Sequence, residues 1–202
     1  MKNWIKTAAI AALAVGCVME TKANNLIVNG SFENPNQGGG WGLNNPILGW
    51  SDVSGYNPAS LETGAGGIYG VTGFDGYQVM ELDSTHNVVA QQTISGLNGS
   101  YSLSFLYAQR AGQSPANASF DVFWNSTLVG SFGPTLNSMT LYTKTVAGGA
   151  NNTLQFVGTG TQDSYGAIID NVSLSQVPDG GSTITFMGLG LLAVAGVRRK
   201  LS

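Results

Sequence analysis

The chain has 202 residues, eight basic and eleven acidic side chains, and a formal net charge of -3. That length is typical of one domain or slightly more. Six of the eight bases lie near the two ends, so residues 24–176 retain Arg110 and Lys144 against nine acids, a net of -7. This balance excludes the basic surface that nucleic-acid binding requires and favours neutral ligands or cations.

Residues 1–23 have the three parts of a secretory signal peptide. Lys2 and Lys6 form a basic start, 8–19 is an apolar centre, and Thr21-Lys22-Ala23 predicts cleavage after Ala23. An alternative is lipoprotein processing before Cys17, the single cysteine of the chain. Cleavage in either place leaves the exported domain without a disulfide, so its stability must come from its core, or from its core and a metal.

Between the ends the apolar pattern has period two, which predicts β-strands. Abundant glycine, 29 residues in all, and turn-forming clusters separate the short runs. Eight or nine strands in residues 24–176 predict an all-β jelly-roll sandwich. The strand candidates are 26–32, 77–82, 88–94, 101–107, 120–124, 141–147, 153–156 and 168–174, with 34–76 expected to form long loops around a few short strands.

Residues 177–202 form a distinct tail. It begins with Val177-Pro178-Asp179-Gly180-Gly181 in a 177–183 motif, continues as an apolar run at 184–197, and ends in bases at 198–200. The run is nearly long enough for a transmembrane helix, and the bases would hold its end in the cytoplasm. The tail resembles a PEP-CTERM sorting signal in its Val-Pro-Asp-Gly variant. That resemblance implies an exosortase-type enzyme and transient anchoring in the inner membrane.

The middle of the chain resembles a second family. It opens with Asn-Leu-Ile-Val-Asn-Gly-Ser-Phe-Glu at 25–33 and Gly49-Trp50, and closes with Ile-Ile-Asp-Asn-Val-Ser-Leu at 168–174. These opening and closing motifs resemble those of galactose-binding-like jelly rolls, including carbohydrate-binding modules. With 78–84, 89–94 and 101–125, they also resemble the bacterial branch of domain of unknown function 642. The resemblance implies a jelly roll and leaves its ligand open.

Asp170 is the most informative carboxylate. It alternates in phase with Ile168, Val172 and Leu174, so it is expected on the apolar face unless a bulge intervenes. A buried carboxylate needs a base, backbone donors or a metal. In the resembled modules the corresponding Asp and the opening Glu help to hold a structural Ca²⁺, which implies Asp170 and Glu33 here. The alternative is a carboxylate satisfied by backbone amides.

Two patterns suggest catalysis and are weaker. Glu81 and Asp83 share one strand face, as a glycosidase pair would, but a polar or hydrogen-bonded strand face is the favoured interpretation. His86, the single histidine, is expected to be exposed in a turn, because the chain lacks a Gly-x-Ser-x-Gly elbow and a His-Glu-x-x-His motif. We therefore expect no enzymatic activity.

Sugar recognition needs flat aromatic faces beside hydrogen-bonding side chains. Trp50 is expected in the core. The ligand-binding candidates are the loop-associated residues Trp41, Tyr56, Arg110, Asp163 and Tyr165. Arg110 has the alternative of pairing with Asp163 or Asp121.

The sequence thus predicts an exported, non-catalytic protein of the cell envelope, cell surface or extracellular matrix that binds extracellular polysaccharide. The alternative is a structural matrix protein or adhesin without a specific sugar site.

Overall fold

The structure, a computed structural model, describes residues 24–177. The predicted signal segment with its cleavage at Ala23, the sorting residues Pro178, Asp179, Gly180 and Gly181, and the apolar run at 184–197 lie outside the described residues. Val177 is the last described residue, and its N–H donates to the Ser100 carbonyl at 2.9 Å. In the part of the chain that is described, no helix has the length and apolar character needed to cross a membrane.

Residues 24–177 form two antiparallel sheets. One has six strands in the order β1-β3-β4-β11-β6-β9, and the other has five in the order β2-β5-β10-β7-β8. The bounds are β1 Trp41–Asn44, β2 Ser51–Asp52, β3 Leu61–Ala65, β4 Gln78–Glu81, β5 Val89–Ser95, β6 Ser100–Gln109, β7 Phe120–Trp124, β8 Thr127–Phe132, β9 Thr140–Ala147, β10 Asn151–Gly158 and β11 Ala167–Gln176, with 3₁₀-helices at Gly66–Tyr69 and Pro115–Ala118.

The strand order is that of a jelly-roll sandwich, which confirms the predicted fold class. Strands from β5 onward pass repeatedly between the two sheets, and their inward faces enclose one large apolar core. Phe105 and Phe156 meet edge to face at its centre, with ring centroids 5.1 Å apart. Trp50 is 1% exposed, and its indole N–H donates to the Val28 carbonyl at 3.1 Å, which confirms its predicted place in the core.

The predicted strand at 26–32 is wrong. This segment forms turns, although the N–H of Leu26 donates to Leu174 O and the N–H of Val172 donates to Gly30 O, both at 2.9 Å. A Cβ at Gly30 would lie 2.0 Å from the Val172 carbonyl oxygen, so only glycine permits this approach. The opening segment therefore docks on β11 without continuing the sheet.

A β-bulge in β11 changes the predicted side-chain phase. The register with β6 shifts between Asp170 and Ser173, and Asn171 has a left-handed φ of 46°. As a result Val172 and Leu174 join the main core, whereas Ile168 joins a separate apolar cluster on the outer face of the six-stranded sheet. Asp170 shares the face of Ile168 and not that of Val172 and Leu174, which corrects the single apolar face predicted for this run.

The outer apolar cluster covers part of the outer face of the six-stranded sheet. It packs Tyr69 and Val71 against Val79, Ala108 and Ile168 of the sheet beneath. Two polar sites border it on the same face of the sheet.

Candidate functional site

A groove of about 600 Å³ lies on the outer face of the six-stranded sheet. Its walls combine aromatic and charged side chains from β1, β3, the first 3₁₀-helix and the loops after β6 and β10. The main lining residues are Trp41, Leu43, Glu62, Tyr69, Arg110 and Tyr165. Three predicted ligand residues, Trp41, Arg110 and Tyr165, are thus brought together.

Trp41 presents its ring at the edge of the groove. It is 59% exposed although it lies on β1, where it is paired with Gly64 of β3. A Cβ at Gly64 would lie 2.7 Å from the Tyr69 hydroxyl and 2.8 Å from the Trp41 Cβ. The glycine therefore allows both aromatic side chains to approach the sheet and shape the groove.

Arg110 lies between two aromatic rings. Its guanidinium carbon is 5.0 Å from the ring centroid of Tyr69 and 4.8 Å from that of Tyr165, both within the range of cation–π attraction. Its Nη1 donates to both oxygens of Glu81, at 2.9 and 3.1 Å. The predicted alternative pairing of Arg110 with Asp163 or Asp121 is therefore wrong.

Glu81 forms an acid pair with Glu62. The two residues are direct partners in the β3–β4 register. The Tyr69 hydroxyl donates to Glu62 Oε1, and the N–H of Gly166 donates to Glu81 Oε1, both at 3.0 Å. Burial, reinforced by the charge of Glu62 and opposed by Arg110, raises the pKa of Glu81 to about 9. Burial also raises the pKa of Glu62.

The raised pKa values of both carboxyl groups favour a shared proton on the acid pair at neutral pH. With one negative charge on the pair and one positive charge on Arg110, the groove is close to neutral. This arrangement suits a hydroxyl-rich neutral ligand, which meets aromatic faces and hydrogen-bonding groups without a strong field.

The acid pair is poorly arranged for glycoside hydrolysis. That reaction requires two carboxyl groups placed on either side of the scissile bond, with one able to reach water or substrate. Glu81 is 0% exposed, and Arg110 and Gly166 occupy its oxygens. Asp83, the other predicted strand-face carboxylate, is bonded to the amides of Asp163 and Ser164 at 2.8 and 3.0 Å.

His86 is 2% exposed, so its predicted exposure is wrong although its position in a turn is right. Its Nε2 lies 2.7 Å from Asp52 Oδ2 and 3.1 Å from Ser54 Oγ. In a catalytic triad the serine and the aspartate contact different ring nitrogens, whereas here they share one. Burial alone would raise the pKa of Asp52, but hydrogen bonds from Ser54 and His86 hold it below its usual value.

Two predicted ligand residues lie outside the groove lining. Tyr56 is 47% exposed and stacks on His86 with ring centroids 4.1 Å apart. Asp163 accepts a hydrogen bond from Asn117 Nδ2 at 2.8 Å. Their suggested contact with a ligand stays a prediction. Sequence reasoning missed Tyr69 and Glu62, which line the groove, because neither belongs to a recognisable motif.

A second polar site contains Glu33, Asp75 and Asp170, here named the acidic cluster. Asp170 is fully buried and accepts from the N–H of Asp75 at 2.5 Å and that of Asn171 at 2.6 Å. Glu33 Oε1 accepts from the N–H groups of Tyr77 and Gln78 at 2.6 and 2.8 Å. Burial, with the charges of Asp75 and Glu33 adding to it, raises the pKa of Asp170 to about 7.

The acidic cluster has the oxygen chemistry of a Ca²⁺ site, because Ca²⁺ takes about 6–8 oxygen ligands. The bases of the two ion pairs found within residues 24–177, Arg110 and His86, pair with other acids. Within residues 24–177, however, no three His, Cys, Asp or Glu side chains converge closely enough to hold a metal by themselves. A cation here would need hydroxyl, carbonyl or water oxygens as well, and the Ser31 hydroxyl, 2.7 Å from Asp75 Oδ2, is one nearby source.

The C-terminal tail is similar to a known sorting motif. A family model described as the VPDSG-CTERM motif matches residues 176–201. The match supports a C-terminal sorting signal where the sequence analysis placed one, at 177–202.

The domain is similar to short stretches of much longer proteins. Over 157 residues it is 34% identical to the multifunctional-autoprocessing repeats-in-toxin of Vibrio vulnificus, covering 76% of this chain and 3% of that protein. A protein of the same name from Vibrio cholerae is 34% identical over 155 residues, covering 75% of this chain and 3% of its own. The chain thus spans about 3% of the length of the curated relatives it matches.

Among solved structures, a family 35 carbohydrate binding module from Clostridium thermocellum is 17% identical, with a TM-score of 0.40 over 53% of this chain and 84% of that chain. The CBM35 from Paenibacillus barcinonensis is 20% identical, with a TM-score of 0.37 over 68% of this chain and 94% of that chain. Both TM-scores are low, so the fold assignment rests on the strand order of this chain. The resemblance to domain of unknown function 642 stays a prediction.

Proposed function

We propose that this protein is exported and binds extracellular carbohydrate, without catalysis, through the groove lined by Trp41, Arg110 and Tyr165. The proposal rests on two features that line the same groove: the exposed ring of Trp41 and a guanidinium that lies between two tyrosine rings. An indole face can stack on the apolar face of a sugar ring, while Arg110 and Glu62 offer a donor and an acceptor for its hydroxyls. The near-neutral charge of the groove favours neutral sugars.

Several features support the absence of hydrolysis. Glu81 is enclosed and engaged by a base and an amide, so it cannot readily deliver a proton to a glycosidic oxygen or accept one from water. His86 is enclosed beneath Tyr56. The groove thus provides binding surfaces in place of a reacting centre.

The proposed location follows from the tail. The match at 176–201 supports sorting to the cell surface or the surrounding matrix. Processing by an exosortase-type enzyme, after transient anchoring in the inner membrane, is the mechanism we propose for that sorting. A protein delivered there meets polysaccharide as an abundant neutral ligand.

A structural Ca²⁺ at the acidic cluster is part of the proposal. Glu33 and Asp170 would hold it, with Asp75 nearby. A cation there would compensate the charge of a fully buried Asp170 that otherwise has only backbone donors. A cation bound by both Glu33 of the opening segment and Asp170 of β11 would hold the first and last segments of the domain together.

A glycan array of the purified full-length chain, read with and without a calcium chelator, tests the proposal. We expect neutral glycans to bind, and Trp41→Ala to weaken that binding at least tenfold. Leu141→Ala is the matched control, because Leu141 is 65% exposed and lies on β9, away from the groove. A chain that binds no glycan in either condition would favour a structural matrix protein or adhesin instead.

A further inference from the structure

The turn between β4 and β5 holds two buried oxygen atoms that lack partners. Asp83 Oδ1 and Asn87 Oδ1 are the buried side-chain atoms without a hydrogen-bond partner among the described residues. A buried polar group that is left unsatisfied lowers the stability of the folded state. Two unsatisfied oxygens in one turn indicate that a group from outside the chain binds there.

The two oxygens belong to side chains that lie side by side. Asp83 and Asn87 form an isolated antiparallel bridge that closes the turn. Directly opposed residues of such a pair place their side chains on the same face, with Cβ atoms about 4.5–5.5 Å apart. The unpartnered oxygens therefore belong to neighbouring groups.

Both side chains form hydrogen bonds with the loop 159–166. Asp83 Oδ2 accepts from the N–H groups of Asp163 and Ser164 at 2.8 and 3.0 Å. Asn87 Nδ2 donates to the Gly160 carbonyl at 2.9 Å. The Asp83 carboxylate has no donor of its own, and Asn87 donates through Nδ2 to the loop, so both remaining oxygens are acceptors that cannot satisfy one another.

The local charge is negative. Asp83 is 0% exposed, and Asp163 is a second acid close to it. Neither of the ion pairs found in residues 24–177 includes Asp83. A carboxylate oxygen and an amide oxygen beside a second carboxylate are the ligand types that hard cations prefer.

We propose that Asp83 Oδ1 and Asn87 Oδ1 are ligands of a metal ion, a hard cation such as Ca²⁺, held between the 83–87 turn and the 159–166 loop. Asp163 is the nearby carboxylate able to contribute, with backbone carbonyls and water completing the coordination. The site is separate from the acidic cluster and does not depend on glycan binding. It would brace the loop that carries Ser164 and Tyr165, which line one wall of the groove.

Counting bound metal tests the proposal. The purified full-length chain is stripped with a chelator and dialysed against Ca²⁺, and bound Ca²⁺ per chain is measured by elemental analysis and calorimetry. The Asp170→Asn variant, which disables the acidic cluster and leaves this turn intact, is expected to bind one equivalent. If Asp170→Asn binds none, the proposed site is contradicted, whatever the glycan results are.

Variants of the turn then locate the metal. Adding Asp83→Asn to Asp170→Asn should abolish the remaining equivalent, because the new amide can donate to Asn87 Oδ1 and removes the charge. Asn87→Ala is a second variant and should weaken Ca²⁺ binding at least tenfold. Asp121→Asn, an isosteric change on β7, is the matched control and should leave the count unchanged. Unchanged Ca²⁺ binding in both turn variants would overturn the assignment and indicate a bridging water.

Discussion

Glu81 and Asp170 are two fully buried carboxylates on the outer face of one sheet, but they are compensated in different ways. Glu81 has Arg110, whose guanidinium contacts both of its oxygens. Asp170 has two backbone amides and two acidic neighbours, Asp75 and Glu33. Glu81 lies beneath a groove with the features of a ligand site, and Asp170 lies where a cation would join the first and last segments of the domain.

The comparison shows that burial alone does not reveal the role of an acid. The groups that compensate its charge do. A carboxylate paired with a base belongs to the protein's own framework and helps to shape the surface above it. A buried carboxylate without a base must retain a proton or acquire a cation, so it indicates a bound species that the chain does not supply. Separate changes at the two sites should therefore have different consequences.

Of the changes at the two buried acids, removing the base that pairs with Glu81 should have the largest effect. Arg110→Met leaves Glu81 without its partner and is expected to lower the free energy of unfolding by about 3 kcal/mol, as measured by urea denaturation. Adding Glu81→Gln should recover part of the loss, because the two residues are coupled. Lys144→Met is the control and should cost less than about 1 kcal/mol. An Arg110→Met chain as stable as the parent would show that the pair contributes little.

Adding Ca²⁺ should stabilise the folded protein through the acidic cluster. Ca²⁺ at one hundred times its dissociation constant is expected to add about 2.7 kcal/mol at each site it occupies, measured as a rise in melting temperature. Asp170→Asn should remove the contribution of the acidic cluster, and Glu33→Gln should reduce it. If the calcium-dependent shift were the same in the parent and in Asp170→Asn, the acidic cluster would not be a calcium site.

The pH dependence of stability should differ between the metal-free parent and Asp170→Asn. Because the folded pKa of Asp170 is about 7, above its ordinary value of 3.8, the folded chain binds more protons than the unfolded chain between those pH values. Stability should therefore fall as pH rises through this window, by no more than about 1.4 kcal/mol per pH unit from this group.

Glu81 shifts stability in the same direction in both proteins, so the difference between their denaturation curves isolates Asp170. A parent curve parallel to that of Asp170→Asn from pH 4 to 7 would contradict the raised pKa.

Removing the groove's exposed aromatic ring should have the smallest effect on folding. Trp41→Ala changes a largely exposed side chain and should alter the free energy of unfolding by about 0.5 kcal/mol or less. Trp50→Ala, in the core, is the contrast and should cost about 3–5 kcal/mol. Equal losses in the two variants would show that Trp41 has a structural role, and thermal denaturation of both variants distinguishes these outcomes.

The sequence predicted the sandwich well because alternating residues carry strand information directly. It misplaced Val172 and Leu174 relative to Asp170 because a one-residue bulge reverses the phase, and periodicity alone does not reveal bulges. It predicted Trp41, Arg110 and Tyr165 as ligand residues from residue type and from their place in or beside loops, and the fold brings these three to one groove.

The partners of these residues were harder to predict. The pairing of Arg110 with Glu81 depends on which strands are neighbours, and the burial of His86 depends on Asp52 and Tyr56 from a distant segment. Such contacts are set by long-range packing, which has no local pattern in the sequence.

The indole N–H resonances of the tryptophans, measured by ¹⁵N-correlated NMR while a glycan identified on the array is added, test the central claim most directly. The Trp41 resonance, assigned by its loss in Trp41→Phe, should move in a saturable way, while those of the buried Trp50 and Trp124 stay in place. A glycan that binds without moving the Trp41 resonance would contradict the assignment of the groove as the carbohydrate site.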